Sequence, residues 1–240
     1  MKTLLILHGW KSSKEKWQKV KELVSTSGIK VIVPDLPGFK SENELKKPWS
    51  LDDYIYWLED FIEKQGFQNK FYLLGHSFGG RMAIKYAVKN PEKLNGLILV
   101  SAAGITLRPK TKVKFFAIVT KTGDLIFCLP VLRLFRPLGK KFIYFLIGKK
   151  DYYSIQNQLM KETFKKVIGE NLSYLLANIN AKTLIIWGDK DKITPIEDAH
   201  LINKKIKNSK LEVLKNIDHT PYLENSKLLS QKIIEFINNA

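Results

Sequence analysis

The stretch FYLLGHSFGG, Phe71–Gly80, joins four apolar residues to a serine that lies between two glycines. The apolar residues indicate a buried strand, and the following residues 78–90, FGGRMAIKYAVKN, indicate a helix. A serine on so sharp a turn adopts a strained backbone, and Gly75 and Gly79 remove Cβ atoms that would collide there. The pattern predicts that Ser77 presents its hydroxyl at the end of a strand, as a candidate nucleophile.

Five further runs of branched apolar residues alternate with segments of helical character. They are TLLILHG (3–9), KVIVPDL (30–36), LNGLILVSAA (94–103), KTLIIWGDKD (182–191) and LEVLKNIDH (211–219). Strands that are almost continuously apolar are buried on both faces, which is typical of a parallel sheet covered by helices. The segment SLDDYIYWLEDFIEKQG fits such a helix, with Ser50 as its N-cap and Gly66 at its end. The sequence predicts an α/β fold with a mostly parallel sheet of about six strands.

The connection between the fourth and fifth predicted strands is longer than one crossover helix requires. We expect residues 104–178 to form a helical cap within the same fold as a core made of residues 1–103 and 179–240. The cap carries 14 lysines and arginines against four acids, and so holds +10 of the net charge of +17. An acidic carrier protein or an anionic membrane surface could bind it. A solvated lid over the pocket, or a lysine-rich compositional bias, explains the same charge without a partner.

The remaining composition narrows the class of protein. No zinc-ligand spacing or RNA-binding aromatic motif accompanies the positive charge, so no nucleic-acid partner is expected. His8 and Gly9 interrupt the opening apolar run before it could form a signal segment or a membrane span. The single cysteine, Cys128, cannot form an intramolecular disulfide. We expect a soluble cytoplasmic protein, and the sequence leaves its oligomeric state open.

A serine hydroxyl needs a nearby base before it can act as a nucleophile. The chain has four histidines. His219 follows the last predicted strand and starts the loop HTPYLE, where its imidazole can lie over the strand ends. The other three, His8, His76 and His200, are better explained as structural or surface residues. His219 is therefore the candidate base.

The base in turn needs an acid that orients it. The loop WGDKDKITP after the fifth predicted strand offers two aspartates, of which Asp191 lies further into the loop and is favoured over Asp189. Asp218 is less suitable because its side chain and that of the adjacent His219 should diverge. The order serine, acid, histidine is that of α/β-hydrolases rather than that of other triad proteases.

Five segments together resemble the motifs of the α/β-hydrolase superfamily, and the resemblance covers nearly the whole chain. They are HGW (8–10), DLPGF (35–39), GHSFGG (75–80), WGDKD (187–191) and DHTPYLE (218–224). The resemblance implies an α/β-hydrolase fold with a cap inserted after the fourth predicted strand. It also implies an oxyanion hole formed by the backbone N–H groups of Trp10 and Phe78, and no need for a metal or an organic cofactor.

Four residues depart from the pattern of the superfamily. Lys11 and Lys40 stand where relatives often carry glycine, and Asn216 and Asp218 replace glycines that are common before the histidine. These changes put the conformation of the loops in question rather than the triad. The chain also starts at the strand that is usually third, so we expect six strands and a shortened edge.

The combined pattern predicts a serine esterase that cleaves a small acyl ester through an acyl-enzyme, similar to capped carboxylesterases such as the pimeloyl-acyl carrier protein methyl ester carboxylesterases. A thioester is a neighbouring possibility. Resembling enzymes hydrolyse carbon–carbon bonds of diketone ring-fission products with the same triad, but they usually carry tryptophan where this chain has Thr220. A ligand-binding or membrane-surface receptor on the same fold is the alternative outside enzymes.

Overall fold

The computed structural model describes residues 1–40, 43–105 and 157–239. Six strands form one sheet in the order β2-β1-β3-β4-β5-β6, and every neighbouring pair is parallel. The strands are β1 Thr3–Leu7, β2 Lys30–Ile32, β3 Phe71–His76, β4 Leu94–Val100, β5 Thr183–Gly188 and β6 Ser209–Leu214. This sheet confirms the fold class predicted from the apolar runs.

Helices cover both faces of the sheet. The described helices are α1 Gln18–Ser25, α2 Leu51–Lys64, α3 Phe78–Lys89, α4 Gln158–Gly169, α5 Ile196–Lys205, α6 Pro221–Glu224 and α7 Ser226–Asn238. Side chains alternate along β1, so that Leu5 and Leu7 join a core with α2, α3 and α5, while Leu4 and Ile6 join a core with α1 and α7. Burial on both faces explains why the strands are almost continuously apolar.

Helix α2 begins as its sequence predicts. The Ser50 hydroxyl accepts a hydrogen bond from the Asp53 N–H, and the Asp53 carboxylate accepts one from the Ser50 N–H, which forms a capping box. The helix ends at Lys64, and Gly66 follows with a φ of +66°, in the left-handed region that glycine adopts at little cost.

The ends of two strands differ from the runs that predicted them. β2 stops at Ile32, although its apolar run continues, because Pro34 has no N–H to donate to a neighbouring strand. β2 lies at one edge of the six-stranded sheet, next to β1. β6 begins earlier than its run, at Ser209, and ends at Leu214, shortly before Asn216 turns the chain with a φ of +60°. The chain therefore enters the loops at the sheet edge sooner than its hydropathy indicates.

Most of the expected cap, including Cys128, lies outside the described residues. The described part contains α4 and a short 3-10 turn at Leu176–Asn178, which lead back to β5. The boundary between core and cap thus stays a prediction. Among the described residues, no helix combines the length and the apolar character that crossing a bilayer requires.

Candidate active site

Ser77 lies on a tight turn between β3 and α3. Its φ of +51° and ψ of −111° fall in a region that non-glycine residues rarely adopt. The turn packs closely on its surroundings: a Cβ at Gly75 would collide with the carbonyl of Gly79, and a Cβ at Gly79 would collide with the carbonyl of Leu7. The two glycines therefore allow the strained turn to pack against the end of β1, with Ser77 above the sheet.

The structure brings His219 onto Ser77. His219 follows β6, and its Nε2 lies 3.0 Å from the Ser77 Oγ, although the two residues are 142 positions apart in the chain. His219 is largely buried, with 8% of its surface exposed. This is hydrogen-bond distance between a hydroxyl and an imidazole nitrogen, the geometry in which an imidazole can take the proton of an attacking serine.

Asp191 binds the opposite side of the same imidazole. Its Oδ2 lies 2.8 Å from the His219 Nδ1, and the Asp191 side chain has no exposed surface. Burial alone would raise the pKa of Asp191, but the hydrogen bond and charge of His219, together with hydrogen bonds from Thr194, hold that pKa below its ordinary value. Asp191 is therefore a carboxylate at neutral pH and can only accept, which places the imidazole proton on Nδ1 and leaves Nε2 free to accept from Ser77.

The two other candidate acids lie elsewhere. The Asp189 side chain is exposed on the turn after β5. Asp218 is also exposed, and its Oδ1 accepts a hydrogen bond of 2.8 Å from the backbone N–H of His219. Its carboxylate thus binds the backbone next to the imidazole rather than the imidazole itself.

Thr194, three residues after Asp191, also binds the Asp191 carboxylate. Its N–H donates to Oδ1 at 2.9 Å and its hydroxyl to Oδ2 at 2.7 Å, and the N–H of Ile193 donates to Oδ1 at 2.9 Å. An aspartate whose side chain accepts from the backbone two and three residues later forms an Asx turn. The spacing from Asp191 to Thr194 is the signal that could have identified this contact.

His76, the last residue of β3, lies behind His219 and holds its backbone. Its Nε2 is 2.9 Å from the His219 carbonyl oxygen, so the ring donates from that nitrogen. Burial, and then the nearby His219, lower the pKa of His76 to about 3. His76 is therefore neutral at physiological pH, and its bond to the backbone of the histidine loop gives it a structural role.

His8 holds the loop that follows β1. The Leu36 N–H donates to its Nε2 at 3.0 Å, so the proton lies on Nδ1, which is 2.8 Å from the Gly9 carbonyl oxygen. Burial lowers the pKa of His8 to about 4. The ring thus fixes Gly9, which adjoins Trp10, against the loop after β2. His200, by contrast, is exposed on α5.

Trp10 and Phe78 lie side by side next to Ser77. Their ring centroids are 5.2 Å apart in an edge-to-face arrangement. Within the described ranges, neither of their backbone N–H groups donates a hydrogen bond to the protein. Among the described residues, both N–H groups therefore lack a backbone acceptor.

Further aromatic rings pack against these two residues. The Trp10 ring contacts Phe39 and Phe164 at centroid distances of 4.8 and 5.0 Å, and the Phe78 ring contacts Tyr54 at 4.9 Å. Phe164 belongs to α4, and no motif of the sequence indicated its place at the site. Phe78 and Tyr54 are buried. Trp10, Phe39 and Phe164 are partly exposed, and together they form an aromatic surface that favours an apolar ligand.

Four residues stand where relatives often carry glycine, and two of them adopt the left-handed backbone that glycine favours. Lys11 has a φ of +55° and Asn216 a φ of +60°. Lys40 instead forms ion pairs with Asp35 at 2.9 Å and Glu15 at 2.6 Å, which tie the loop after β2 to the turn before α1. The loops therefore reach the site despite these substitutions.

In the described parts of the chain, no cluster of three or more histidine, cysteine or carboxylate side chains could hold a metal ion.

Comparison with known proteins identifies the family. A family model described as the alpha/beta hydrolase fold matches residues 2–121, half of the 240-residue chain. The chain belongs to the α/β-hydrolase fold family, as its sheet and its serine, acid and histidine loops indicate.

Relatives with curated names extend over most of the chain. Monoacylglycerol lipase abhd6-A of Xenopus laevis is 25% identical over an alignment of 264 residues, gaps included, and the alignment covers 99% of this chain and 75% of that protein. Lipase 1 of Psychrobacter immobilis is 25% identical over 236 residues, which cover 92% of this chain and 72% of that protein. A thermophilic esterase from Thermogutta terrifontis has a similar structure, with a TM-score of 0.72, 21% identity and coverage of 100% of this chain and 90% of that one. At that identity the structural likeness shows the fold alone.

Proposed function

We propose that this protein is a serine hydrolase that cleaves carboxylic esters with an apolar acyl group. The observation that carries the proposal is the continuous hydrogen-bonded chain from the Ser77 Oγ through His219 to the Asp191 carboxylate, at 3.0 and 2.8 Å, on a strained turn at the end of a strand. The curated relatives named lipases support an ester as the substrate.

In this mechanism Ser77 attacks the acyl carbon of the ester while His219 Nε2 takes the hydroxyl proton. The proton then passes from Nε2 to the leaving alcohol, and the acyl group stays bound to Ser77 as an ester. A water molecule then attacks the acyl-enzyme while His219 Nε2 takes its proton, and that proton passes to the Ser77 oxygen as the bond to the acyl carbon breaks and the acid leaves. Asp191 keeps the imidazole in the tautomer that each step needs and stabilises the imidazolium.

The backbone N–H groups of Trp10 and Phe78 would bind the oxyanion that forms at each attack. Donors held in place before the reaction cost no reorganisation, and one such donor contributes about a hundredfold to a thousandfold in rate. The neutral rings of His8 and His76 support this arrangement, since one fixes the Trp10 loop and the other fixes the His219 loop.

The apolar rings beside Trp10 and Phe78 support an acyl group of hydrocarbon character. Thr220, which follows His219, points its hydroxyl at the Glu224 carboxylate, 3.0 Å away. This contact gives no reason to favour a diketone over an ester.

Hydrolysis of p-nitrophenyl butyrate tests the proposal. The wild-type protein should turn the ester over, and Ser77→Ala should lose at least about a thousandfold in kcat. Ser25→Ala, which changes an exposed serine on α1, is the matched control and should equal the wild type. Loss of activity in both variants, or in neither, would contradict the role of Ser77. If the protein hydrolyses a ring-fission diketone or a butyryl thioester faster than the ester, the proposed substrate class is wrong, but Ser77 is still the nucleophile.

A further inference from the structure

The Arg81 side chain occupies an unusual position on the helix that begins at the serine turn. It belongs to α3, is 8% exposed, and, among the described residues, forms no ion pair with a carboxylate. Its Nη1 instead donates to the carbonyl oxygens of Val167 at 3.0 Å and Glu170 at 2.8 Å, and its Nη2 lies 3.5 Å from that of Ile168. A buried guanidinium thus binds three backbone carbonyls at one place.

Those carbonyls belong to the C-terminal end of α4 and the residue after it. The last carbonyls of a helix have no partner within the helix and carry the negative end of its dipole, so they bind a cation well. Burial lowers the pKa of Arg81 to about 10, so the guanidinium remains charged at neutral pH. Arg81 therefore caps α4 from a different helix, the one that carries the serine turn.

The start of the long connection between β4 and β5 also contacts the Arg81 side chain. Gly104, just after β4, has a φ of +104°, and a Cβ there would lie 3.1 Å from the Arg81 Cγ. The Gly104 carbonyl accepts a hydrogen bond of 2.9 Å from the N–H of Leu172, which follows α4. The departing and the returning segments of the long connection thus meet at Arg81.

Helix α4 in turn places a side chain at the site. Phe164 lies one turn before Ile168, and its ring contacts Trp10 at a centroid distance of 5.0 Å. One turn earlier, Met160 packs against Gly38, where a Cβ would lie 3.1 Å from its Cε. A shift of α4 would therefore move the outer wall of the aromatic surface without moving Ser77.

We propose that Arg81 is a positioning residue that sets the acyl-chain preference of the site by holding α4, and with it Phe164, against Trp10. The inference rests on the proposed ester hydrolysis. In this proposal a short acyl group stays beside Trp10 near Ser77, whereas a long one also contacts the Phe164 ring, whose position depends on α4.

The test compares p-nitrophenyl acetate with p-nitrophenyl octanoate. In Arg81→Met the KM for octanoate should rise about tenfold, while the KM for acetate and the kcat for both esters should stay within about twofold of the wild type. Arg81→Lys keeps the cation without the planar fork, so it should change the same KM in the same direction by less. Lys89→Met removes a cation from the same helix, where it pairs with Glu59, and should match the wild type.

A double-mutant cycle with Phe164→Ala separates positioning from a general structural role. Phe164→Ala should give the same octanoate-specific rise in KM, and adding Arg81→Met should raise it no further. Equal losses on both esters, additive losses in the double variant, or no change at all would overturn the inference. If Arg81→Met does not fold, as judged by its thermal unfolding, the same cycle with Arg81→Lys decides the question. If the wild-type protein hydrolyses neither ester, the proposed function itself is wrong. If the enzyme is active but the variants change the KM for acetate and octanoate equally, only the role of Arg81 is wrong.

Discussion

Replacement of Asp191 by asparagine is the substitution that most sharply tests how the candidate triad works. The carboxylate accepts four hydrogen bonds, from two backbone N–H groups at Oδ1 and from the Thr194 hydroxyl and His219 at Oδ2. Asparagine has the same shape, and its carbonyl oxygen would take the place of Oδ1, because only an acceptor suits the two backbone donors there. The NH2 group is then directed at Thr194 and His219.

This arrangement reverses the proton on the imidazole. Facing an amide donor, the His219 Nδ1 must accept, so the proton moves to Nε2, which lies 3.0 Å from the Ser77 Oγ. A protonated Nε2 cannot take the proton of the attacking hydroxyl. From the cost of a wrong tautomer in other serine hydrolases we expect kcat to fall about ten-thousandfold, which corresponds to about 5 kcal/mol in the activation free energy.

The assay is p-nitrophenyl butyrate hydrolysis by Asp191→Asn at neutral pH, with Asp189→Asn as the matched control. The control changes an exposed aspartate two positions away and should keep wild-type kcat. Circular dichroism and urea unfolding establish that both variants are folded. A folded Asp191→Asn variant within about tenfold of wild-type kcat would refute the tautomer argument. Loss in the Asp189 variant instead would identify the other loop aspartate as the acid.

Three further predictions concern stability. His8 has a pKa of about 4 when folded against an ordinary value of 6.5, so between these pH values mainly the unfolded chain binds its proton, and His8 should lower the free energy of unfolding on acidification by up to about 1.4 kcal/mol per pH unit. Urea titrations of His8→Gln should show a slope that is shallower than that of the wild type by this amount, and an unchanged slope would contradict the prediction. Gly75→Ala should lower the free energy of unfolding by about 3 kcal/mol because the new Cβ would collide with backbone atoms, whereas Gly169→Ala should not, since no described atom beyond its chain neighbours and its own helix lies within 4 Å. Similar unfolding midpoints for the two variants would contradict this packing. Lys11→Gly should raise the free energy of unfolding by about 1 kcal/mol because Lys11 has a φ of +55°, which glycine adopts at little cost. Lys64→Gly, in the last turn of α2, should instead lower it by about 1 kcal/mol. If both variants were less stable than the wild type, the positive φ of Lys11 would carry no strain.

The fold could be predicted from the sequence because its signals are local. Each run of branched apolar residues contains or overlaps a strand. Ser50 directly precedes α2, and Gly66 lies two residues after the helix ends at Lys64. The strand ends were less predictable. Pro34 and Asn216 end the pairing of their strands through backbone geometry, which hydropathy does not record.

The candidate triad could be located because parallel strands bring their carboxyl ends to one edge. Ser77, Asp191 and His219 each follow a different strand, and the structure places all three within hydrogen-bond distance of a neighbour. Their supporting contacts could not be inferred in the same way. His76 binds a carbonyl 143 residues away and Arg81 binds one 86 residues away, and neither contact has a local sequence pattern.

The central claim is that Ser77 is the nucleophile of an ester hydrolase. Labelling with a fluorophosphonate, followed by intact-mass and peptide analysis, tests it most directly because the reagent bonds only to an activated nucleophile. The wild-type chain should gain one adduct, on the peptide that contains Ser77, and Ser77→Ala should gain none. Absence of an adduct on the folded wild-type chain, or an adduct that persists in Ser77→Ala, would contradict the claim.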